Sequence, residues 1–228
     1  MLKVSKISAT YGEGTVLRDV SLDIIKGRVT CLIGRNGAGK TTTAKAIMGL
    51  VATSGTGIKI DDKEVLNTPI YERARSGIGY VPQGRDIFPE LTVKENLLLG
   101  LEAKNGKGVI PDYIFDVFPI LKTFLNRKGG DLSGGQQQQL AIARVLVSEP
   151  KVLILDEPTE GIQPSIIKDI GRVIKSLKDD IAILIIEQYL EFVLDIADYC
   201  YVLENGRIEM QGETCILDKD RLQTIMAL

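Results

Sequence analysis

Lys40, Thr41, Asp156 and Glu157 are the residues in this chain whose types suit phosphate chemistry, and their spacing says how. Gly34-Arg35-Asn36-Gly37-Ala38-Gly39-Lys40-Thr41 fits the pattern G-x-x-x-x-G-K-[ST]. The apolar run 29–33 before it predicts a buried strand. Residues 41–50, with Ala44, Ile47, Met48 and Leu50 at helical spacing, predict a helix after it. Glycines in such a loop let successive backbone N–H groups converge on one anion, and the positive end of the helix dipole reinforces them. Lys40 would reach the β- and γ-phosphates and the Thr41 hydroxyl a Mg²⁺ ion, with Thr42 at the same helix end. A glycine-rich turn can also join strand to helix without any ligand, but the flanking strand and helix favour the cradle. The motif predicts a nucleoside triphosphate site.

A second group of acids follows the same logic. Val152-Leu153-Ile154-Leu155 runs as a strand into Asp156-Glu157. Asp156 can hold Mg²⁺ opposite Thr41, and Glu157 can polarise an attacking water. The strand 78–81, closed by Pro82, delivers Gln83 to a carboxyl edge where ligands bind in open α/β sheets, placing it to sense a γ-phosphate or its metal. Taken alone, Gln83 reads better as a solvated loop glutamine. Leu132-Ser133-Gly134-Gly135-Gln136 opens a helix, and serine with two glycines there makes a second anion-binding end. Tyr11 stands at a strand edge upstream of the phosphate loop; a ring stacked on a nucleobase and a tyrosine packed on the core fit its position equally. The strand 181–186 ends in Glu187-Gln188, again at a carboxyl edge.

These residues need a framework, and composition permits one. The chain has 228 residues, 44% of them hydrophobic and 25% charged, enough for one sizeable domain or two joined lobes. A net charge of −2 and the absence of tryptophan give no electrostatic or stacking reason to expect a nucleic acid. Histidine is absent, which removes histidine metal sites and histidine acid–base chemistry. The three cysteines, Cys31, Cys200 and Cys215, are few and scattered, as expected of free thiols in a reducing cytoplasm. The longest apolar run, 181–186, is far too short to span a membrane, and the first residues lack the apolar core of a secretory signal.

Residues 3–28 read as several short strands, and 58–65 as a small antiparallel hairpin. From 92 to 148 the pattern turns helical: 93–99 behind a Thr92–Glu95 capping box, 113–125, and 136–147. Helices interrupting an α/β pattern imply a separate helical lobe. Further helices are expected over 169–177 and, in the tail, 214–228, with a hairpin turning at Asn205-Gly206.

In their order along the chain, the phosphate loop, Gln83, the 132–136 segment, the strand into Asp156-Glu157 and the exit Glu157-Pro158-Thr159 resemble the ATP-binding-cassette ATPases over almost the whole length. Residues 81–89, the glutamine run 136–139 and residues 160–165 resemble more narrowly the urea-type branch of the branched-chain amino-acid importer ATPases, above all the second ATPase subunit of urea importers. The resemblance implies one domain, 1–228. Residues 1–84 and 150–228 would form a phosphate-loop α/β core with an antiparallel β-subdomain, and 85–149 a helical signature lobe. It also implies a head-to-tail pair of ATPase chains, a heterodimer more readily than a homodimer. Each ATP would lie between one chain's Gly34, Asn36, Gly37, Ala38, Gly39, Lys40, Thr41 and Thr42 and the other's Ser133, Gly134, Gly135 and Gln136. Tyr11 would stack on adenine. Gln83 would couple the phosphate and metal to the helical lobe, Glu157 would be the general base, and Gln188 would stand where a switch histidine is usual. Gln163 and Gln139 replace a usual aspartate and arginine. The implied partners are transmembrane permease subunits and, indirectly, an external solute-binding protein, with the chain peripheral at the cytoplasmic face of the plasma membrane. The function expected is ATP hydrolysis powering import of urea, short amides or branched-chain amino acids; the alternative is a mainly regulatory subunit whose partner does most of the hydrolysis.

Overall fold

The computed structural model describes residues 1–12, 14–217 and 222, without the side chain of Tyr11. Where several short strands are expected near the start, two long ones pair antiparallel, β1 (Leu2–Tyr11) and β2 (Gly14–Ile24). Their register shifts between Val4 and Thr10, and Lys6 and Asp19 take left-handed φ values of 46° and 54°. Bulges of this kind break the two-residue alternation while the pairing continues, which is why the sequence reads as pieces.

After β3 (Val29–Ile33) and helix α1 (Lys40–Met48) come the short β4 (Ala52–Ser54), then β5 (Gly57–Ile60) and β6 (Lys63–Glu64), the expected hairpin. They complete an antiparallel sheet of order β2-β1-β5-β6, with β4 also on β1. The second sheet adds β7 (Ile78–Val81), β8 (Val152–Asp156), β9 (Ala182–Glu187), β10 (Tyr199–Glu204) and β11 (Arg207–Glu213). Its order is β11-β10-β3-β9-β8-β7, parallel from β10 through β7. β11 returns antiparallel through Asn205 and Gly206, whose φ values of 48° and 76° suit a tight hairpin turn.

The three central strands are apolar at nearly every position because both faces are covered. Cys31, Leu153, Leu155, Ile183 and Ile185 enter one core, shared with the helices. Leu32, Ile154, Leu184 and Ile186 enter the other, against α1 and the antiparallel sheet. Each such side chain contributes about 1.5–3 kcal/mol on burial, so the carboxyl ends of β3, β8 and β9 are firmly placed.

Two further helices, α2 (Ile70–Arg75) and α8 (Leu190–Ile196), are too short to show a clear period in sequence. α3 (Val93–Leu99) carries the expected capping box. The single helix expected over 113–125 is instead α4 (Tyr113–Val117) and α5 (Pro119–Thr123). Pro119 forces the break, holding Phe118 outside helical geometry at φ −128°, ψ 73°. α6 (Gly134–Leu146) starts at the residue after Ser133, and α7 (Pro164–Leu177) starts ahead of the expected Asp169 because Pro164 suits a first turn. The tail expected to be helical opens as a turn at 214–216; apart from Leu222, which is buried, the rest of it lies outside the described residues.

Candidate functional site

The loop from β3 to α1 turns sharply. Gly34 has no room for a side chain, since a Cβ there would lie 2.3 Å from the Leu203 carbonyl oxygen. Gly39, the residue before the helix, takes φ 107°, and a Cβ would meet Leu17 Cδ2 at 2.7 Å. No side chain caps α1, so its first-turn N–H groups are available to an anion. Ala38 and Lys40 are buried beside the loop, while Asn36 and Gly37 are exposed. Lys40 Nζ donates to the Arg35 carbonyl at 3.1 Å and stands 3.9 Å from Glu157 Oε1. Burial lowers the Lys40 pKa, while the Glu157 and Asp156 charges oppose that shift.

A cavity of about 360 Å³ is lined by Asn36, Gly37, Gly39, Lys40, Thr41, Thr42, Gln83, Glu157 and Val16. Four stretches far apart in sequence thus meet at one pocket, and Val16, from β2, is the member that sequence reasoning missed. The Gln83 side-chain amide donates to Glu157 Oε2 at 3.0 Å and to Glu160 Oε2 at 3.1 Å. Burial raises the Glu157 pKa; Lys40 pulls it down, and Glu187, Asp156 and Glu160 push it up.

Asp156 lies behind Thr41. Its carboxylate accepts the Thr41 hydroxyl at 3.2 Å and the Tyr80 hydroxyl at 3.2 Å, and no ion pair among the described residues reaches it. Burial raises its pKa, and the two hydroxyl bonds and the Lys40 charge work against that rise. A carboxylate only 1% exposed, beside a threonine hydroxyl, is an oxygen-donor set suited to a hard divalent cation. The residues therefore fit Mg²⁺. Tyr80 went unnoticed in sequence because a tyrosine inside a strand carries no signal of where its hydroxyl ends.

Other expected residues lie elsewhere. Ser133, Gly134, Gly135 and Gln136 do not line the cavity; they open α6, where Ser133 and Gln136 form a reciprocal capping box. Arg85 joins that helix end to the exit of β8, donating to Gln137 Oε1 at 3.4 Å and to the Glu160 carbonyl at 3.1 Å. Gln188 is exposed after β9 and is not part of the cavity lining. Tyr11 ends β1, and its ring lies outside the described residues. Cys31 and Cys200 are buried free thiols and Cys215 an exposed one. Among the described residues, no helix is long and apolar enough to cross a membrane.

Known proteins share this arrangement. Residues 17–160 match the family model described as ABC transporter. The high-affinity branched-chain amino acid transport ATP-binding protein BraG of Pseudomonas aeruginosa is 40% identical over 213 residues, 92% of this chain and 91% of that one. A probable branched-chain amino acid transport ATP-binding protein, LivF of Archaeoglobus fulgidus, is 38% identical over 93% of this chain and 92% of its own. A crystal structure of a nucleotide-free ATP-binding cassette from an ABC transporter superposes with a TM-score of 0.82 at 31% identity, covering 100% of this chain and 95% of that one. A dimeric cassette in a post-hydrolysis state, bound to ADP and Pi, gives 0.82 at 26% identity over 94% and 99%. With a family model matched over residues 17–160 and relatives 38–40% identical over more than nine-tenths of its length, the chain belongs to the ABC transporter family as an ATP-binding, ATP-hydrolysing subunit.

Proposed function

We propose that this chain powers a membrane importer by ATP-driven, head-to-tail pairing with a second ATPase chain, from the cytoplasmic face of the membrane. The observation that carries the reading is the split of its two anion-binding helix ends. Lys40, Thr41, Gln83 and Glu157 share one cavity, whereas Ser133–Gly135 do not line it and would complete a partner's site. A cassette solved as a dimer with ADP and Pi supports pairing of this kind. The cargo class we favour is a branched-chain amino acid, given the names of BraG and LivF, with urea or a short amide as the narrower alternative suggested by residues 81–89 and 160–165.

In this mechanism the loop N–H groups and Lys40 bind the β- and γ-phosphates and orient them. Thr41 and Asp156, with Gln83 alongside, would hold Mg²⁺, which supplies charge neutralisation on the phosphates when bound. Glu157, its carboxylate basicity raised by burial, takes the proton of the attacking water. Gln83 links Glu157 to Glu160, and Arg85, donating to the Glu160 carbonyl and to Gln137, carries that connection into the helical lobe, 85–149, which we assign to contact with permease subunits. Gln188 can donate a hydrogen bond to the γ-phosphate but brings no charge. Tyr11 would stack on the adenine.

The test is Glu157→Gln in this chain alone, within the complex that co-purifies with it. Removing the general base is expected to lower turnover by about 10²–10⁴-fold with ATP still bound. Unchanged turnover would favour the regulatory alternative, which Gln188 motivates.

A further inference from the structure

Glu187 ends β9 between the strand that feeds the phosphate loop and the strand that carries the paired acids, in register with Ile33. It is 1% exposed, yet no ion pair among the described residues holds it. Four donors satisfy it instead. One oxygen accepts the Thr159 backbone N–H at 3.1 Å and the Thr159 hydroxyl at 2.6 Å. The other accepts the backbone N–H groups of Gln188 at 3.0 Å and Tyr189 at 3.2 Å. A fully buried carboxylate is retained at a high desolvation cost, and here every bond it makes goes to a loop flanking the reaction site.

Those bonds bracket Glu157. Its own N–H donates to the Ile186 carbonyl at 2.9 Å, immediately before Glu187 on the same strand. Two residues after Glu157, Thr159 is tied to Glu187 itself. Between the two tethers Glu157 adopts φ 48°, a conformation unfavourable for a residue with a side chain, which persists only where its surroundings fix it.

We infer that Glu187 is a positioning residue for hydrolysis: through Thr159 it holds the backbone of Glu157 in its left-handed conformation, and through its second oxygen it sets the start of the Gln188 loop. One carboxylate thereby fixes the base and the switch position relative to each other. The inference rests on the proposed role of Glu157. It adds a residue that touches neither the nucleotide cavity nor the reacting atoms.

A glutamine at 187 keeps the shape but turns one acceptor into a donor that faces two donors, so one side of the bracket must open. Thr159→Val removes only the hydroxyl bond, and Thr159→Ser restores it. Steady-state ATP turnover should be measured on the full chain with its co-purifying subunits, and ATP affinity by equilibrium binding of a fluorescent ATP analogue. A small misplacement of a reacting group can cost about 100-fold in rate, so Glu187→Gln is expected to lower kcat by about that factor while affinity changes less than about 3-fold. Thr159→Val should lose about 10-fold in kcat, and Thr159→Ser should recover most of it. Should Glu187→Gln fail to fold, the Thr159 pair decides alone: equal loss in both Thr159 variants, or loss in neither, overturns the bracket. A parallel fall in affinity and kcat for Glu187→Gln overturns it too, because the residue would then serve the pocket as a whole. Glu157→Gln separates the two ideas. Normal turnover in that variant would overturn the assignment of the base, whereas its loss beside full activity in Glu187→Gln and Thr159→Val would overturn the bracket alone.

Discussion

The two glycine-rich helix ends of this molecule look alike in sequence and differ in what they do with their own N–H groups. At α1 the residue before the helix is Gly39, in left-handed conformation, and no side chain caps the turn. At α6 the Ser133 hydroxyl accepts the Gln136 N–H, and the Gln136 side chain accepts the Ser133 N–H. The first end is organised toward a ligand, with Lys40 and Thr41 already at its cavity. The second has two of its donors, the Ser133 and Gln136 N–H groups, engaged within the chain, so an anion there meets a partly claimed helix end. The difference teaches that a glycine-rich helix start is an anion site by default only when nothing local has claimed its donors. It also gives a reason why the second end would act only against a partner's bound nucleotide, which supplies several charged oxygens together.

Breaking the first end should have the largest effect. Lys40→Ala removes the buried charge that we assign to the phosphates, and truncating one partner of a desolvated charge pair is worth about 2–5 kcal/mol. The affinity of the chain for ATP, measured by equilibrium binding, is expected to fall by at least about 30-fold, a factor that corresponds to the lower of those values. An affinity close to that of the unaltered chain would show that α1 is not the primary anion end.

Ser133→Ala sharpens the contrast from the other side. Loss of an N-cap serine typically lowers stability by about 0.5–2 kcal/mol, and the long 3.4 Å bond to Gln136 points to the lower part of that range. ATP binding to the isolated chain should be unaffected, while turnover in the assembled complex should drop. Equal losses in both assays would place the two ends at one site within a single chain and would end the split-site reading.

The smallest effect lies away from both ends. Asp61 pairs with the Met1 amino group at 2.9 Å and with Lys151 at 3.0 Å, which together lower its pKa from 3.8 to about 2. A carboxylate whose folded pKa is depressed adds stability above its unfolded pKa and loses it as pH falls through the folded one. Thermal melts should therefore show a slight, salt-screened loss between about pH 4 and pH 2, absent in Asp61→Asn. ATP affinity of Asp61→Asn at neutral pH should match that of the unaltered chain, since no part of either helix end is involved.

The legibility of the sequence varied with the range of the forces involved. β3 and β7 coincide with their expected strands and β8 extends its apolar run only by Asp156, because a strand covered on both faces is apolar at nearly every position. The cap at Thr92 was readable because both partners of its bonds sit within four residues, whereas Ser133 read as an anion-binding helix start and its reciprocal bonds with Gln136 belong to the structure. The long β1–β2 pair was obscured by bulges, α4 and α5 ran together until Pro119 was seen to divide them, and α2 and α8 were too short to announce themselves. Glu187 illustrates the gap at the site itself. Its place at a carboxyl edge was visible in sequence, but that it would turn inward onto Thr159 was not.

The sequence by itself determined that this chain has a phosphate loop, a pair of acids at a strand end and a second glycine-rich helix start, because each is a local pattern whose chemistry is written in adjacent residues. Only the tertiary structure decided which of these meet. Parallel strands β3, β9 and β8 bring Lys40, Glu187 and Glu157 to one sheet edge from positions more than a hundred residues apart in places, and the same packing leaves Ser133 outside the cavity. The physical reason is that a hydrogen bond across a sheet depends on register and on which face a side chain takes. Those are set by burial summed over the whole core, not by any residue's neighbours in the chain.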